Sequence, residues 1–548
     1  MGTRRDFDPL SSPSPFEITP FNLPMVYTLV HGKNCKDFVR IDDIKTKQDF
    51  EIHDLIKSVL TRKEYKPFIQ SFNKTITESY LFNDIYFPVQ FWHDVKTKVR
   101  DIYGIDITLN NDYNGVPNVI EREQFDMFVS SLKLPPKYHT DSETYKYQQD
   151  CVFNVLTNKI GLIEIGTSGG KTFITYLYVR YILEHYTNWA TTTSREIKSN
   201  LQRGNRPEEA DKILVIVPSK QLAIQLKQDF EEYSSLEEKK VIVESIFAGA
   251  KKTNNAHVIC GTYQTLCNYE PDFFEGFRYI ICDELHRAKA FSIKSEIYGK
   301  IRNADFYFGM TGTLPKYNTL DYLHITAMFG TKLYEKSVRS LIDDGISVEV
   351  DMNIIRIQYE SDADYSMMLR DSGIIGTEKY RAEKEFFQSN EKRNALIIKL
   401  LKHYNSNALI LVDTLSYCDV LYDLLVGAFG DSREIHIING QVKNRQEIID
   451  KMKQAKSDFI LIGTYGTMST GVSIPSIEQI YFVDGGKSEI RIRQSIGRGI
   501  RLNPGKEKCK VFDFFDDLKG SSFQKHARER LRIYKEQKLP FKITTTTI

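Results

Sequence analysis

Gly166-Thr167-Ser168-Gly169-Gly170-Lys171-Thr172 follows the apolar run 162–165 and precedes the helix-like run 173–183. Glycines between a strand and a helix let backbone N–H groups wrap an anion, and the helix N-terminus adds a favourable dipole. In such a loop the Lys171 ammonium reaches the β- and γ-phosphates of a nucleoside triphosphate, and the Thr172 hydroxyl holds Mg²⁺. The strict pattern wants a glycine five residues before Gly170, where Ile165 stands, so a plain glycine-rich turn stays open on this heptad alone. Strand, loop and helix in this order predict a parallel α/β sheet with its chemistry at the strand carboxyl ends.

Outward from this loop, Ile280-Ile281-Cys282-Asp283-Glu284-Leu285-His286 is an apolar run ending in two acids and a histidine. An Asp at a strand end can hold Mg²⁺, and the adjacent Glu can orient and deprotonate the attacking water. His286 is placed to sense the γ-phosphate. Alone, the two acids read as a helix cap. At 112 residues after Lys171 and inside the same rhythm, they read as the second half of a nucleotide site. A third block, Gln494-Ser495-Ile496-Gly497-Arg498-Gly499-Ile500-Arg501, carries two arginines three apart. On a second domain they become candidate arginine fingers, whose action would require the cleft to close.

The surrounding rhythm supports two such domains. Strand-like runs lie at 162–165, 213–217, 257–261, 279–283 and 306–310, and a second series at 408–412, 435–438, 459–463, 480–483 and 511–514. Before them, 75–81 reads as a strand. Pro88 suits a first helical turn, Trp92, Val95, Val99 and Ile102 keep helical spacing, and Gly104 suits the stop. Ile105, Ile107 and Leu109 alternate as a strand, and 110–136 reads as a linker with one short helix. No short-period repeat is visible. The expected division is a flexible leader at 1–24 and a small α+β module with linker at 25–135. A first α/β domain at 136–345 with a polar insertion at 188–211, a second at 346–520, and a basic helix and tail at 521–548 complete it.

Composition bounds the rest. At about 100–200 residues per domain, 548 residues hold three or four units. Hydrophobic residues are 41% and charged residues 27%, which excludes a mostly disordered chain. No apolar run approaches the roughly 20 residues of a membrane helix, so no membrane partner is expected. Lys and Arg number 74 against 72 Asp and Glu, so any nucleic-acid contact must come from local patches. The seven cysteines form no CxxC pair and read as free thiols in a reducing, cytoplasmic compartment.

The blocks together resemble the ordered motifs of superfamily-two DExH-type helicases, most closely the UvsW helicase family of T-even bacteriophages. Tyr147-Gln148 resembles the adenine-recognition element, Gly166–Thr172 motif I, Asp283–His286 the DExH box and Thr311-Gly312-Thr313 motif III. Pro218–Leu222 and Gly261–Thr265 resemble nucleic-acid contacts of the first motor domain. The run from Thr464 to Pro475, with Thr470-Gly471, resembles motif V, and Gln494–Arg501 motif VI. Two departures stand out. Ser168 replaces a usual glycine, so the loop should not adopt a glycine conformation there. Ser473 stands where many relatives carry an Asp that touches the nucleotide sugar.

The resemblance implies two tandem RecA-like parallel-sheet domains after a small α+β domain, with ATP and Mg²⁺ as cofactors. It assigns Lys171, Asp283, Glu284, His286, Arg498 and Arg501 to catalysis, and Thr172 and Asp283 to the metal. Tyr147, Gln148, Gly166, Thr167, Ser168, Gly169, Gly170, Gly471 and Gln494 would bind nucleotide, and Thr311 and Thr313 would couple the sites. Ser219, Lys220, Thr262, Thr265 and Thr464 would grip phosphates; for Ser219 helix capping is an alternative. Lys57, Arg62, Lys63, Lys66, Lys96, Lys98 and Arg100 could add to that grip or form a solvated face, and Trp92 reads as core. Residues 491–548, with 15 Lys and Arg against 6 Asp and Glu, should include a docked helix with Arg530 on its basic outer face.

The activity implied is an ATP-dependent DNA helicase or translocase on branched DNA and R-loops, including RNA–DNA hybrids. It would be a monomer or weak oligomer in a phage-infected host cytoplasm, with recombination or replication proteins as partners. A restriction-type duplex translocase and a non-catalytic annealing or scaffold protein are the rival readings.

Overall fold

The computed structural model describes residues 26–548 except 32–36, 43, 45, 67–73, 80–85, 89–90, 111–119, 137, 139–142, 188–211, 249–255, 288–296, 298–299, 302–303, 305, 318, 362–364, 369–375, 443, 455–457, 469–473, 485 and 487. The leader 1–24, the insertion 188–211, Gly471 and Ser473 therefore lie outside the described residues.

The N-terminal module contains β1 (Val26–His31), β2 (Asp37–Asp42), β3 (Thr61–Lys66), β4 (Lys74–Ser79), β5 (Tyr86–Pro88) and β6 (Leu109–Asn110). Four of these form a sheet in the order β5-β2-β1-β6, and β3 and β4 form an antiparallel pair. Helix Lys47–Leu60 starts at a reciprocal cap: the Thr46 hydroxyl accepts from Asp49 N at 3.1 Å, and Asp49 accepts from Thr46 N at 2.6 Å. Helix Trp92–Tyr103 stops at Gly104, whose φ of 68° places it in the left-handed region.

Two local expectations fail here. Pro88 does not open the helix but ends β5, an edge strand, where its missing N–H leaves no central ladder broken. Ile107 is buried as alternation suggests, yet only Leu109 and Asn110 pair with β1. The module's core, with Val39, Ile56, Val95 and Val99, extends onto Leu320 and Leu323 of helix Leu320–Phe329. The module thus rides on the first α/β domain, with Trp92 half-buried against the same core.

That domain holds β7 (Ile160–Ile165), β8 (Lys212–Val217), β9 (Val243–Ile246), β10 (Val258–Thr262), β11 (Phe277–Cys282), β12 (Phe306–Thr311) and β13 (Lys332–Lys336). The second holds β14 (Glu349–Gln358), β15 (Ala408–Val412), β16 (Glu434–Ile438), β17 (Phe459–Thr464), β18 (Gln479–Phe482), β19 (Lys508–Asp516) and β20 (Phe541–Thr547). The first sheet runs β9-β10-β8-β11-β12-β7-β13 and the second β16-β17-β15-β18-β19-β14-β20. Every pairing is parallel, and adding seven to each label of the first order gives the second. These are tandem RecA-like domains.

The strands the sequence did not reveal lie mostly at sheet margins. The edge strands β9, β13 and β20 are only partly buried, so they lack the continuous apolar runs of central parallel strands. β14 alternates in burial and reads poorly for the same reason.

β20 also corrects the C-terminus: it is no loose tail but pairs with β14 from Met352↔Phe541 to Gln358↔Thr547. Helix Ser522–Glu536 buries Phe523, Ala527 and Tyr534, and also Arg530, which lies on their side of the helix and not on its outer face. Arg530 is paired with Asp513 at 2.7 Å, and Asp513 also accepts from the Tyr534 hydroxyl at 2.8 Å. Lys525, Arg528, Lys535 and Lys538 remain exposed.

A short helix, Val338–Asp343, joins the domains. Leu341 packs into the first core, while Val338 and Ile342 pack into the second. Gly345, at φ 72°, closes this helix with its N–H on the Ile342 carbonyl, and Ile346 N bonds the Leu341 carbonyl. Three residues later Val348 N donates to the Ile500 carbonyl at 2.8 Å. The six cysteines among the described residues are free, five of them buried. No helix of the described residues is long and apolar enough to cross a membrane.

Candidate active site

The phosphate-type loop leaves β7 at its carboxyl end. Gly166 N bonds the Lys336 carbonyl of β13 at 2.9 Å, Gly169 N turns back to the Gly166 carbonyl at 3.0 Å, and helix Lys171–Tyr186 follows. Gly170 has φ 73°, which favours glycine, and a Cβ there would stand 2.3 Å from Gln148 Nε2 and push that amide aside. The expectation for Ser168 is overturned. It adopts φ 77°, the left-handed conformation of the glycine it replaces. For a residue with a Cβ this costs roughly 1–2 kcal/mol. The Ser168 hydroxyl donates to the Gly497 carbonyl at 2.8 Å, a local compensation.

Tyr147 and Gln148 support the loop from behind and beside. The Tyr147 hydroxyl donates to the Gly169 carbonyl at 2.7 Å, and Gln148 Nε2 lies 3.4 Å from the same carbonyl. Burial pushes the Tyr147 phenol pKa up, so it stays a donor.

Asp283 and Glu284 follow β11 directly. The Asp283 carboxylate accepts from Glu284 N at 2.8 Å, and Glu284 has φ 50°, a strained position that turns its carboxylate. Lys171 Nζ lies 3.9 Å from Glu284 Oε1 and 3.5 Å from the Ile165 carbonyl. Burial, and then the charge of Glu284, raise the Asp283 pKa to about 6, with Lys171 opposing. Two acids held beside one lysine leave an excess of negative charge that a divalent cation would relieve. Asp283 and the Thr172 residue line the same cavity, a donor set suited to a magnesium ion that also holds phosphates and water.

His286 and Gln494 depart from their expected places. Both are buried and neither lines the cavity. His286 Nδ1 lies 2.8 Å from Thr311 Oγ1 and 3.4 Å from Glu284 Oε2, and Gln494 Nε2 lies 3.3 Å from His286 Nε2. Thr311 Oγ1 in turn donates to the Thr313 carbonyl and accepts from Thr313 N, each at 3.1 Å. The histidine thus connects an acid of the site, a threonine of the first domain and a glutamine of the second.

A cavity of about 480 Å³ lies between the domains. Gln148, Thr167, Ser168, Gly170, Lys171, Thr172, Asp283 and Glu284 line it from the first domain, Arg498 and Arg501 from the second. Arg498 is buried and Arg501 half-buried. The cavity also has groups that sequence reasoning missed. Tyr138 stacks on Phe173 with ring centroids 5.6 Å apart and meets Tyr233 edge-on at 4.7 Å, and all three rings line the cavity. Asp229 faces the same space. Arg493 reaches across the cleft to Glu164 at 3.7 Å, and Glu164 also accepts from Leu314 N. A carboxylate within the apolar strand 160–165 was the available signal for that contact.

The expected phosphate-gripping residues stand at strand carboxyl ends. Ser219 caps helix Lys220–Tyr233 by accepting from Leu222 N, as its alternative reading held, and Lys220 Nζ lies 4.6 Å over the Phe247 ring. Thr262 and Thr464 occupy equivalent places as the last residues of β10 and β17. Thr262 Oγ1 donates to Thr265 Oγ1 at 3.0 Å, and Thr464 Oγ1 donates to Thr467 Oγ1 at 3.0 Å. The Tyr263 hydroxyl donates to the Asp283 carbonyl at 3.0 Å, and that of Tyr465 to the Asp484 carbonyl at 3.3 Å. The strings Gly261-Thr262-Tyr263-Gln264-Thr265 and Gly463-Thr464-Tyr465-Gly466-Thr467 are one module used twice, 202 residues apart.

Two family models match in tandem: the type III restriction enzyme res subunit over residues 141–316, and the helicase conserved C-terminal domain over 391–503. The chain belongs to the superfamily-two helicases. Its activity is that of an ATP-driven helicase. Among relatives of this superfamily-two member, the ATP-dependent DNA helicase uvsW of Enterobacteria phage T4 is 27% identical over 455 residues, 78% of this chain and 82% of that one. The putative ATP-dependent helicase IRC3 of Saccharomyces cerevisiae is 22% identical over 406 residues, 71% of this chain and 54% of that one. A fragment of a putative HsdR subunit of a type I restriction enzyme from Vibrio vulnificus YJ016 shares the fold. Its TM-score is 0.53 at 16% identity, covering 89% of this chain and 91% of that one.

Proposed function

We propose that this superfamily-two helicase hydrolyses ATP in the interdomain cavity and uses the cycle to move along branched DNA and R-loops. The observation that carries the reading is the convergence on one cavity of Lys171, Thr172, Asp283 and Glu284 from the first domain with Arg498 and Arg501 from the second. Lys171 would neutralise the β- and γ-phosphates and Glu284 would take a proton from the attacking water. Arg498 and Arg501 would meet the charge that develops on the transferred phosphoryl group. Mg²⁺, held by Thr172 and Asp283, would supply further charge neutralisation at the phosphates. The stacked rings of Tyr138 and Phe173, with Tyr233 edge-on to both, offer an apolar wall of a kind that suits a nucleobase.

Nucleic acid would lie across the equivalent Thr262–Thr265 and Thr464–Thr467 pairs, one on each domain, so that closing the cleft shifts one grip against the other. Hydroxyls at strand ends hold phosphates and carry no sequence information, which suits a motor that must pass any sequence. The DNA preference follows from the likeness to the phage DNA helicase, and the branched substrates from the family resemblance. ATPase and unwinding assays across forks, R-loops, four-way junctions and linear duplex test the reading. Stimulation by every branched substrate above linear duplex is expected; equal or absent stimulation by all of them overturns the substrate assignment.

A further inference from the structure

The loop that should hold the triphosphate is itself bonded to the second domain. Ser168 and Thr167, its third and second residues, sit against the last turn of helix Glu489–Gly499. The Ser168 hydroxyl donates to the Gly497 carbonyl at 2.8 Å, and Thr167 Oγ1 lies 3.4 Å from the Arg493 carbonyl. Carbonyls in the last turn of a helix have no intrahelical donor, so Gly497 offers an acceptor that the loop can satisfy. The approach is tight. A Cβ on Gly497 would stand 1.9 Å from Thr167 Oγ1 and 2.2 Å from its Cβ, so only glycine admits the contact. Ser168 holds its left-handed φ of 77° while making this bond, although a glycine there would be unstrained.

We propose that Ser168 is a positioning residue that couples closure of the cleft to the phosphate loop, its hydroxyl latching the loop to the helix that carries Arg498. The latch rests on the motor reading above and deepens it. Closure would then act on phosphate from both sides: arginines arrive from the second domain, and the loop is drawn into register by the same helix. The left-handed strain at Ser168 is retained because it aims the hydroxyl at Gly497. Glycine at this position would relax the loop and cut the connection.

The test compares wild type with Ser168→Gly in ATPase assays at saturating forked DNA, together with thermal melting. One hydrogen bond of about 0.5–1.5 kcal/mol corresponds to a loss of roughly 2- to 12-fold. The loss is expected in kcat and not in the KM for ATP, with a melting temperature equal to or above that of wild type. A structural role for Ser168 would instead lower the melting temperature. Wild-type kcat in Ser168→Gly, or a lower melting temperature, overturns the latch.

A second arm uses the packing. Gly497→Ala should lower kcat by forcing Thr167 away, and adding Thr167→Gly should restore part of it. A double variant no better than Gly497→Ala overturns the contact. If wild type shows no DNA-stimulated turnover at all, the motor reading fails and not the latch alone.

Discussion

His286 and Gln494 meet across the two motor domains, ring Nε2 to amide Nε2 at 3.3 Å, in a buried contact behind the nucleotide cavity. The Thr311 hydroxyl is already a donor to the Thr313 carbonyl, so the imidazole proton lies on Nδ1, pointing at Thr311, and Nε2 accepts from the amide. Replacing Gln494 with Leu removes the buried amide donor that faces this ring nitrogen, at about 1–3 kcal/mol. Gln494→Leu should lower DNA-stimulated ATP turnover roughly 5-fold or more. Steady-state ATPase assays with a fork titration check this, and an unchanged maximal rate would show the contact to be packing alone.

Glu284→Gln should bind ATP and scarcely hydrolyse it. An amide cannot accept the proton of water, and loss of general-base catalysis is typically worth about 10²–10⁴ in rate. Asp283 and Thr172 still line the cavity, so nucleotide affinity should persist. Calorimetric titration with ATP and turnover on the same sample separate the two effects.

Arg501→Ala should lose on the order of 10²-fold or more of DNA-stimulated ATPase while keeping much of its DNA affinity, because transition-state charge is left unmet. Anisotropy at fixed salt measures the affinity. Full rate at saturating DNA would move Arg501 from the nucleotide side to the nucleic-acid grip.

The duplicated module predicts matched losses. Thr262→Val and Thr464→Val each remove a hydroxyl that donates to a partner threonine at 3.0 Å, in equivalent places of the two sheets. Each should weaken single-stranded DNA binding about 2- to 12-fold, as expected for one hydrogen bond of roughly 0.5–1.5 kcal/mol. A large effect from one and none from the other would mean that only one domain grips in the nucleotide-free state.

Asp513→Ala should destabilise the second domain by about 3–5 kcal/mol, because it strands the buried guanidinium of Arg530. Arg530→Met, which keeps volume while removing the charge, leaves Asp513 with the Tyr534 hydroxyl as donor, a smaller loss. Denaturant melts of both variants give the comparison.

What could be read in the chain follows the physics of burial. The central strands announce themselves because parallel strands covered on both faces are continuous apolar runs, as 213–217 is. The edge strand 541–547, with four consecutive threonines and little burial, gives no such signal and passes for a tail. Arg530 reads as solvated because charge predicts exposure, and its partner Asp513 lies 17 residues away on another element. At the site, Lys171, Asp283, Glu284, Arg498 and Arg501 declare themselves through their neighbours in sequence. Tyr138 and Glu164 do not, since their contacts are formed only by the fold. Ser168 takes its strained φ with its hydroxyl on a carbonyl 329 positions away, a partner that no local reading of the loop supplies. The repeat behind Thr262 and Thr464 has a unit as large as a domain, 202 residues, far longer than any short period.

The connection between the domains has a mechanical meaning. Helix Val338–Asp343 is anchored in both cores, and the few residues after it are pinned by Gly345 and by the bond from Val348 to Ile500, the residue immediately before Arg501. A joint so short cannot let the halves drift apart as tethered bodies; it permits only a swing about a fixed axis. Because the pivot is fastened beside Arg501, that guanidinium lies close to the axis and travels least in such a swing, while the parts of the second domain far from the joint travel furthest. The joint is thus a fulcrum: it keeps the proposed finger near its station while the far edge of the domain sweeps, and lengthening it by a few flexible residues would loosen that station first.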